Sequence, residues 1–317
     1  VASTSVIDLH QQTIMPRSLS LSLLLGAAAL SPIGAQAPAQ TVDRSTGVLI
    51  IAHGASPAWN ANVDSLAAAV RRGGVVNGPV AVSYLMGQAA AQNRFQDAVA
   101  NLKKGGAQRV VVVPMLVSSN SGHYEQIRYL AGAVDTLENV MMHHLHMAGI
   151  ERASGIPMVV TPAIDDSPEL ARVLASRAKA LAPSPAGKAL FLLGHGPNSA
   201  EDYAAWMKRL RVVADAIKTE TGFASVAVEL VRDDAPAPVR AEAVTRAREL
   251  IALQRAATGQ DVIVVPILVS SGDVSNKKLP ADLAGTPAVY AGAPILPHPL
   301  MATWVERRVM EAANVTP

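Results

Sequence analysis

The 317-residue chain contains no cysteine. That excludes disulfides, zinc-thiolate sites, iron-sulfur clusters, cysteine nucleophiles and lipid attachment through a thiol, so any metal must be held by His, Met or carboxylates. Aromatic residues make up only 3% and charged residues 16%. Ala, Val, Leu and Gly dominate instead, which suits helices packed closely on parallel strands better than an aromatic-lined β fold. An excess of charge of either sign is also missing. The formal net charge is +2, and the basic residues are scattered rather than gathered into a stripe, so nucleic acid is not an expected partner. Nucleotide-binding loops of the G-x-x-x-x-G-K-[ST] and G-x-G-x-x-G kinds are absent, as is a G-x-S-x-G nucleophile elbow. The Arg-His-Gly phosphate-binding step of histidine phosphatases is missing too, because His53 follows Ala52 and His195 follows Gly194.

The longest apolar run near the start falls short of the roughly 20 residues a membrane-spanning helix needs. From Met15, the chain carries Arg17, an apolar stretch from Leu19 to Leu30, and small residues suited to cleavage after Ala35 or Ala37. This three-part pattern predicts a secretory leader within residues 1–37, with the mature chain exported, periplasmic in a bacterium, and not inserted in the membrane.

The remainder is organised by a duplication. Gly47-Val-Leu-Ile-Ile-Ala-His53-Gly54 corresponds to Ala189-Leu-Phe-Leu-Leu-Gly-His195-Gly196, and Val110-Val-Val-Val-Pro-Met-Leu-Val-Ser118-Ser119 to Val262-Ile-Val-Val-Pro-Ile-Leu-Val-Ser270-Ser271. A looser third match joins Pro157 to Ile164 with Ala288 to Ile295. A period this long indicates two similar domains rather than a solenoid of short units. The repeated runs are short, rich in Val, Ile and Leu, and lack polar alternation, as expected of parallel strands covered on both faces. Helical periodicity occupies 62–72, 93–104, 168–181, 200–219 and 239–256. The expectation is an α/β fold of two tandem, doubly wound parallel-sheet domains, residues 45–182 and 187–313, related by a pseudo-twofold with a cleft between them.

In open parallel sheets ligands collect beyond the carboxyl ends of strands. His53 and His195 each follow a strand and precede a glycine, and His123 lies in the loop after the strand ending near Val117, on the rim expected for His53. Two imidazoles on one rim suit a divalent metal such as Co, Ni, Fe or Zn. A second group is denser: Met141-Met-His143-His144-Leu-His146-Met147 offers a candidate auxiliary metal site.

The runs LIIAHGAS and VVVPMLVSSNSGHYEQI resemble the two signatures of the class II tetrapyrrole chelatases, the sirohydrochlorin cobaltochelatase and ferrochelatase group, here in two tandem copies. The resemblance implies insertion of a divalent metal substrate (Co2+, Fe2+ or Ni2+) into a sirohydrochlorin-type tetrapyrrole without a nucleotide. It also implies that His53 and His123 are metal ligands and catalytic groups, and that the loop Ser118, Ser119, Asn120, Ser121, Gly122 lies against the macrocycle. His195 stands as an auxiliary residue, with Arg128 a cation for the substrate's acidic groups. Two departures set up an alternative. Met86 stands in Tyr84-Leu85-Met86 where the family commonly has a carboxylate, and no histidine follows Ser270 as His123 follows Ser118. The second half then serves as a structural partner or cleft wall with the active pair in the first, and the missing acid, the Met/His run and the leader favour a rival function, an exported, non-catalytic metal or tetrapyrrole (haem-like) carrier on the chelatase scaffold.

Overall fold

The computed structural model describes Val1 and residues 41–314. The expected leader lies outside the described residues. Among the described residues, no helix is long and apolar enough to cross a membrane.

The first half runs β1 (Thr46–Ala52), α1 (Pro57–Arg72), β2 (Val80–Tyr84), α2 (Gln88–Gln92), α3 (Phe95–Lys104), β3 (Arg109–Met115), α4 (Gly122–Leu130), α5 (Asn139–Ala148), β4 (Met158–Val160) and α6 (Pro168–Leu181). The second half repeats the theme with β5 (Ala189–Gly194), α7 (Ala200–Thr221), β6 (Ser225–Leu230), α8 (Ala237–Thr258) and β7 (Val262–Ile267). A π-helical turn (Val274–Lys278), α9 (Leu279–Leu283), β8 (Ala288–Tyr290) and α10 (Leu300–Ala313) complete it. Each half forms a four-stranded, all-parallel sheet, ordered β2-β1-β3-β4 and β6-β5-β7-β8. The α/β expectation, two doubly wound sheets of matching topology, is therefore met.

The central strands are buried on both faces: every residue of β1, β5 and β7 is buried, which is why their sequences read as unbroken apolar runs. Helices begin where a serine can cap them. Ser56, Ser121, Ser167 and Ser199 each accept a hydrogen bond from a backbone N–H in the first turn of α1, α4, α6 and α7.

Residues 41–314 belong to one compact unit. The sequence boundary between 182 and 187 separates the sheets but not the helices that cover them: α6 packs on β7 and α7 of the second half, and α10 packs on β3 and α1 of the first. One buried cluster accordingly joins Val48, Ile50 and Val112 with Leu190, Leu192 and Ile263. The exchanged helices are tied together by Arg307, whose guanidinium donates to both carboxylate oxygens of Glu169 at 2.9 and 2.7 Å.

Both sheets have their topological switch between the first and third strands, because the chain leaves β1 for β2 on one side and returns to β3 on the other. The loops after β1 and β3 diverge there and open a crevice. His53 follows β1 and the loop carrying His123 follows β3; His195 follows β5 and residues 270–278 follow β7.

Candidate metal-handling cleft

The strand-ending histidines are oriented by the same device. Nδ1 of His53 lies 2.9 Å from the Gly54 carbonyl oxygen, and Nδ1 of His195 lies 2.8 Å from that of Gly196. A carbonyl only accepts, so each Nδ1 carries the proton and donates it. Nε2 is left as the outward atom. The glycines make this turn available: both have positive φ, +86° and +80°. At Gly54 a Cβ would lie 2.4 Å from the Met86 carbonyl oxygen, so no side chain fits.

His123 sits in the first turn of α4 and is fixed by a longer chain. Gln126 donates from Nε2 to the Met141 carbonyl at 2.7 Å, which leaves its Oε1 to accept from His123 Nδ1 at 2.7 Å. With Gln126 only 1% exposed, the tautomer is set by a buried partner, as in metal sites whose imidazoles are held through their other nitrogen. His53 and His123 come together edge to face, with ring centroids 4.8 Å apart. Burial first, then the proximity of His123, pushes the His53 pKa down to about 4. Burial likewise lowers His123. Both rings are neutral at pH 7, the form that ligates metals.

The second half is more than a wall. Nε2 of His195 lies 3.1 Å from Oδ2 of Asp234 and 4.0 Å from Oδ2 of Asp233. This group also falls within the electrostatic reach of the first half, since His195 and Asp234 both act on His53 and on His123. Burial alone would lower His195, but the hydrogen bonds to Asp234 and to the Gly196 carbonyl, with the charges of both aspartates, raise it above its ordinary value. Asp234 is held below the usual carboxylate range, foremost by the His195 hydrogen bond. The second half, expected as a structural partner or cleft wall with His195 as an auxiliary residue, thus also brings two carboxylates beside that histidine. His195, Asp233 and Asp234 form a group with metal-ligand spacing facing the histidine pair.

The acid missing at Met86 has a counterpart here. In the first half the Met86 N–H donates to the His53 carbonyl at 2.8 Å; in the second, the Asp233 N–H donates to that of His195 at 3.2 Å. Asp233, not Arg232, therefore occupies the place of Met86, because Arg232 takes a left-handed conformation (φ +53°) that inserts one extra residue. Asp233 is itself paired with Lys278 at 2.6 Å and Arg240 at 3.1 Å. Asp234 has only His195, and its side chain is 64% exposed.

The loop 118–122 is rigid. Ser119 donates from its backbone N–H and its hydroxyl to the two oxygens of buried Asp165, at 2.8 and 2.7 Å. Trp206 of α7 donates from Nε1 to the Asn120 carbonyl at 2.5 Å, bracing the loop from the other half. Ser118 is buried, and Ser121 caps α4. These bonds commit the Ser119 and Ser121 hydroxyls to the fold, leaving backbone and the Asn120 side chain for any ligand. Arg128 is engaged with Glu125 at 3.0 Å within α4.

The Met/His run forms α5, and its six side chains do not converge. His143, His146 and Met147 face solvent, with Met147 75% exposed, whereas Met141 and His144 turn inward. Among the auxiliary candidates, His144 approaches His123 closely enough for their charges to oppose, and His195 is in the cleft. Sequence reasoning missed Asp233, Asp234 and Gln126. Two adjacent aspartates just past a strand end were the available signal for the first two; a buried glutamine three residues beyond a histidine gives none.

Residues 47–181 match the family model described as CbiX. SirB from Bacillus subtilis, solved with Fe3+, superposes with a TM-score of 0.59 at 15% identity, over 85% of this chain and 96% of that one. The multi-domain DR2241 from Deinococcus radiodurans, described as similar to chelatases, gives 0.53 at 21% identity, over 84% of this chain and 55% of that one. No curated, characterised protein matches by sequence. Residues 47–181 thus match the CbiX family model, the second half repeats their sheet topology, and the chain as a whole has a chelatase-like fold.

Proposed function

We propose that this protein inserts a divalent ion, Co2+, Fe2+ or Ni2+, into a sirohydrochlorin-type tetrapyrrole without a nucleotide, and does so outside the cytoplasm after loss of its leader. The observation that carries this reading is the His53–His123 pair: two neutral imidazoles 4.8 Å apart, each with Nδ1–H bonded to a fixed oxygen. Both Nε2 lone pairs are thereby free for an incoming ion. The ion replaces two pyrrole protons, so the site must also accept protons, and an imidazole can do so at Nε2 once that lone pair has released the ion to the macrocycle. His195 and Asp234 lie opposite, share a hydrogen bond and reach solvent through Asp234, which suits them to pass those protons to water. The carboxylates also favour a dication in a cleft that is otherwise poor in charge.

The test mixes the protein with metal-free sirohydrochlorin and Co2+, Fe2+ or Ni2+ and follows the change in absorbance against protein-free and His53→Ala controls. Acceleration that the substitution abolishes supports the chelatase reading and names the metal. Tight binding without acceleration sinks it in favour of an exported metal or tetrapyrrole carrier.

A further inference from the structure

The inward face of α5 has no role in the cleft as described, yet it carries two potential metal ligands, Met141 and His144. Met141 sits against the first residue of α4: a Cβ on Gly122 would lie 2.8 Å from the Met141 sulfur, so the thioether reaches this position only because residue 122 has no side chain. His144 follows three residues later on the same helix face. Its Nδ1 is buried and has no hydrogen-bond partner, a state that costs stability unless something binds there. Beside Met141 opens a cavity of about 340 Å³, lined also by Gly122, Glu125, Thr136, Leu137 and Glu138. It holds two carboxylates and one thioether sulfur and lies behind the residue that precedes His123.

We propose that Met141 and His144 form a waiting site for a divalent first-row cation, with Glu138 drawing the ion into the cavity, since Glu125 is paired with Arg128. The ion then passes to His123 and His53. Thioether and imidazole donors favour Co2+, Ni2+ or Fe2+ over Mg2+ or Ca2+. Occupancy of this site is independent of the chelatase reading; its place as the way in to the cleft rests on that reading.

The test uses Co2+ alone and the full chain. The wild type takes up two equivalents, and H53A/H123A retains one. X-ray absorption at the cobalt edge of that variant shows a sulfur neighbour, which in a chain without cysteine can only be methionine. Adding M141L, which keeps side-chain volume, removes the sulfur signal, and M141L/H144Q abolishes the equivalent. M141L/H144Q alone keeps the cleft equivalent but fills it about tenfold more slowly at limiting Co2+. Absence of bound Co2+ in H53A/H123A, or uptake unchanged by M141L/H144Q, overturns the proposal. Two equivalents bound with no insertion into sirohydrochlorin would leave the waiting site standing and remove the chelatase reading; one equivalent with insertion would do the reverse.

Discussion

The depressed pKa values of the histidine pair make a quantitative prediction about metal affinity in acid. Two exposed imidazoles, each with a pKa of about 6.5, are both neutral in only about one molecule in a hundred at pH 5.5, so a site built from them loses roughly 100-fold in affinity on acidification from pH 7.5. That is about 2.7 kcal/mol. His53, held down to about 4 by burial and by His123, is still almost wholly neutral at pH 5.5. His123 is also lowered, so the loss it contributes stays below the roughly tenfold of one ordinary imidazole. Calorimetric titration of Co2+ in a non-coordinating buffer, in the M141L/H144Q background so that only the cleft is read, should give less than a tenfold change between pH 7.5 and 5.5. A loss near 100-fold would mean that both rings titrate as if exposed, and would refute the burial argument.

The same depression has a cost to stability with a definite sign. The folded pKa of His53 lies below the unfolded value, so the unfolded chain binds more protons and stability is lost as pH falls from about 6.5 to about 4, by on the order of 3 kcal/mol. His53→Gln should flatten the urea midpoint against pH across that window; an unchanged slope would contradict it. Asp234→Asn removes the leading influence that raises His195, so the His195 pKa should fall, read by NMR titration of its ring protons. A His195 pKa that stays raised would assign the effect elsewhere. Arg307→Ala leaves the buried Glu169 carboxylate without its bidentate partner and should destabilise the chain by about 3 kcal/mol in denaturant melts, because this pair ties the exchanged helices. A change under about 0.5 kcal/mol would place it among surface pairs.

Much of the architecture was legible because burial leaves a periodic trace. β1 and β5 read as apolar runs ending in His-Gly because both their faces are covered, and the helices expected at 168–181, 200–219 and 239–256 are α6, α7 and α8 with small changes at the ends. What the pattern did not carry is which sheet a helix covers. The apolar stripe of α6 announces burial without a direction, α10 was not among the expected helices, and both cross to the other half. The site was legible in the same partial way. His53 and His123 were placed on one rim by strand order alone, whereas His195 and Asp234 reach the same cleft only through the packing of the halves. Asp233 was hidden further, since Arg232 in a left-handed conformation shifts the correspondence by one residue, and straight alignment sets an arginine against Met86.

The two halves have diverged in opposite directions, and the divergences complement each other. The first half keeps two histidines and has Met86 where an acid would stand. The second keeps the acids and has no histidine after β7, where Lys278 reaches back to Asp233 instead. Neutral nitrogen donors thus line one rim and carboxylates the other. With Asp233 paired to Lys278 and Arg240, the negative charge left to meet a cation is that of Asp234, which bonds to His195 and stands open to solvent. An acid at position 86 would put a second anion beside two imidazoles that burial already keeps neutral, raising their pKa values and weakening them as ligands near pH 6. Under the proposed function, Met86 on one side and Asp233 and Asp234 on the other therefore act together: the histidine pair remains unprotonated while the charge that would attract a metal sits opposite.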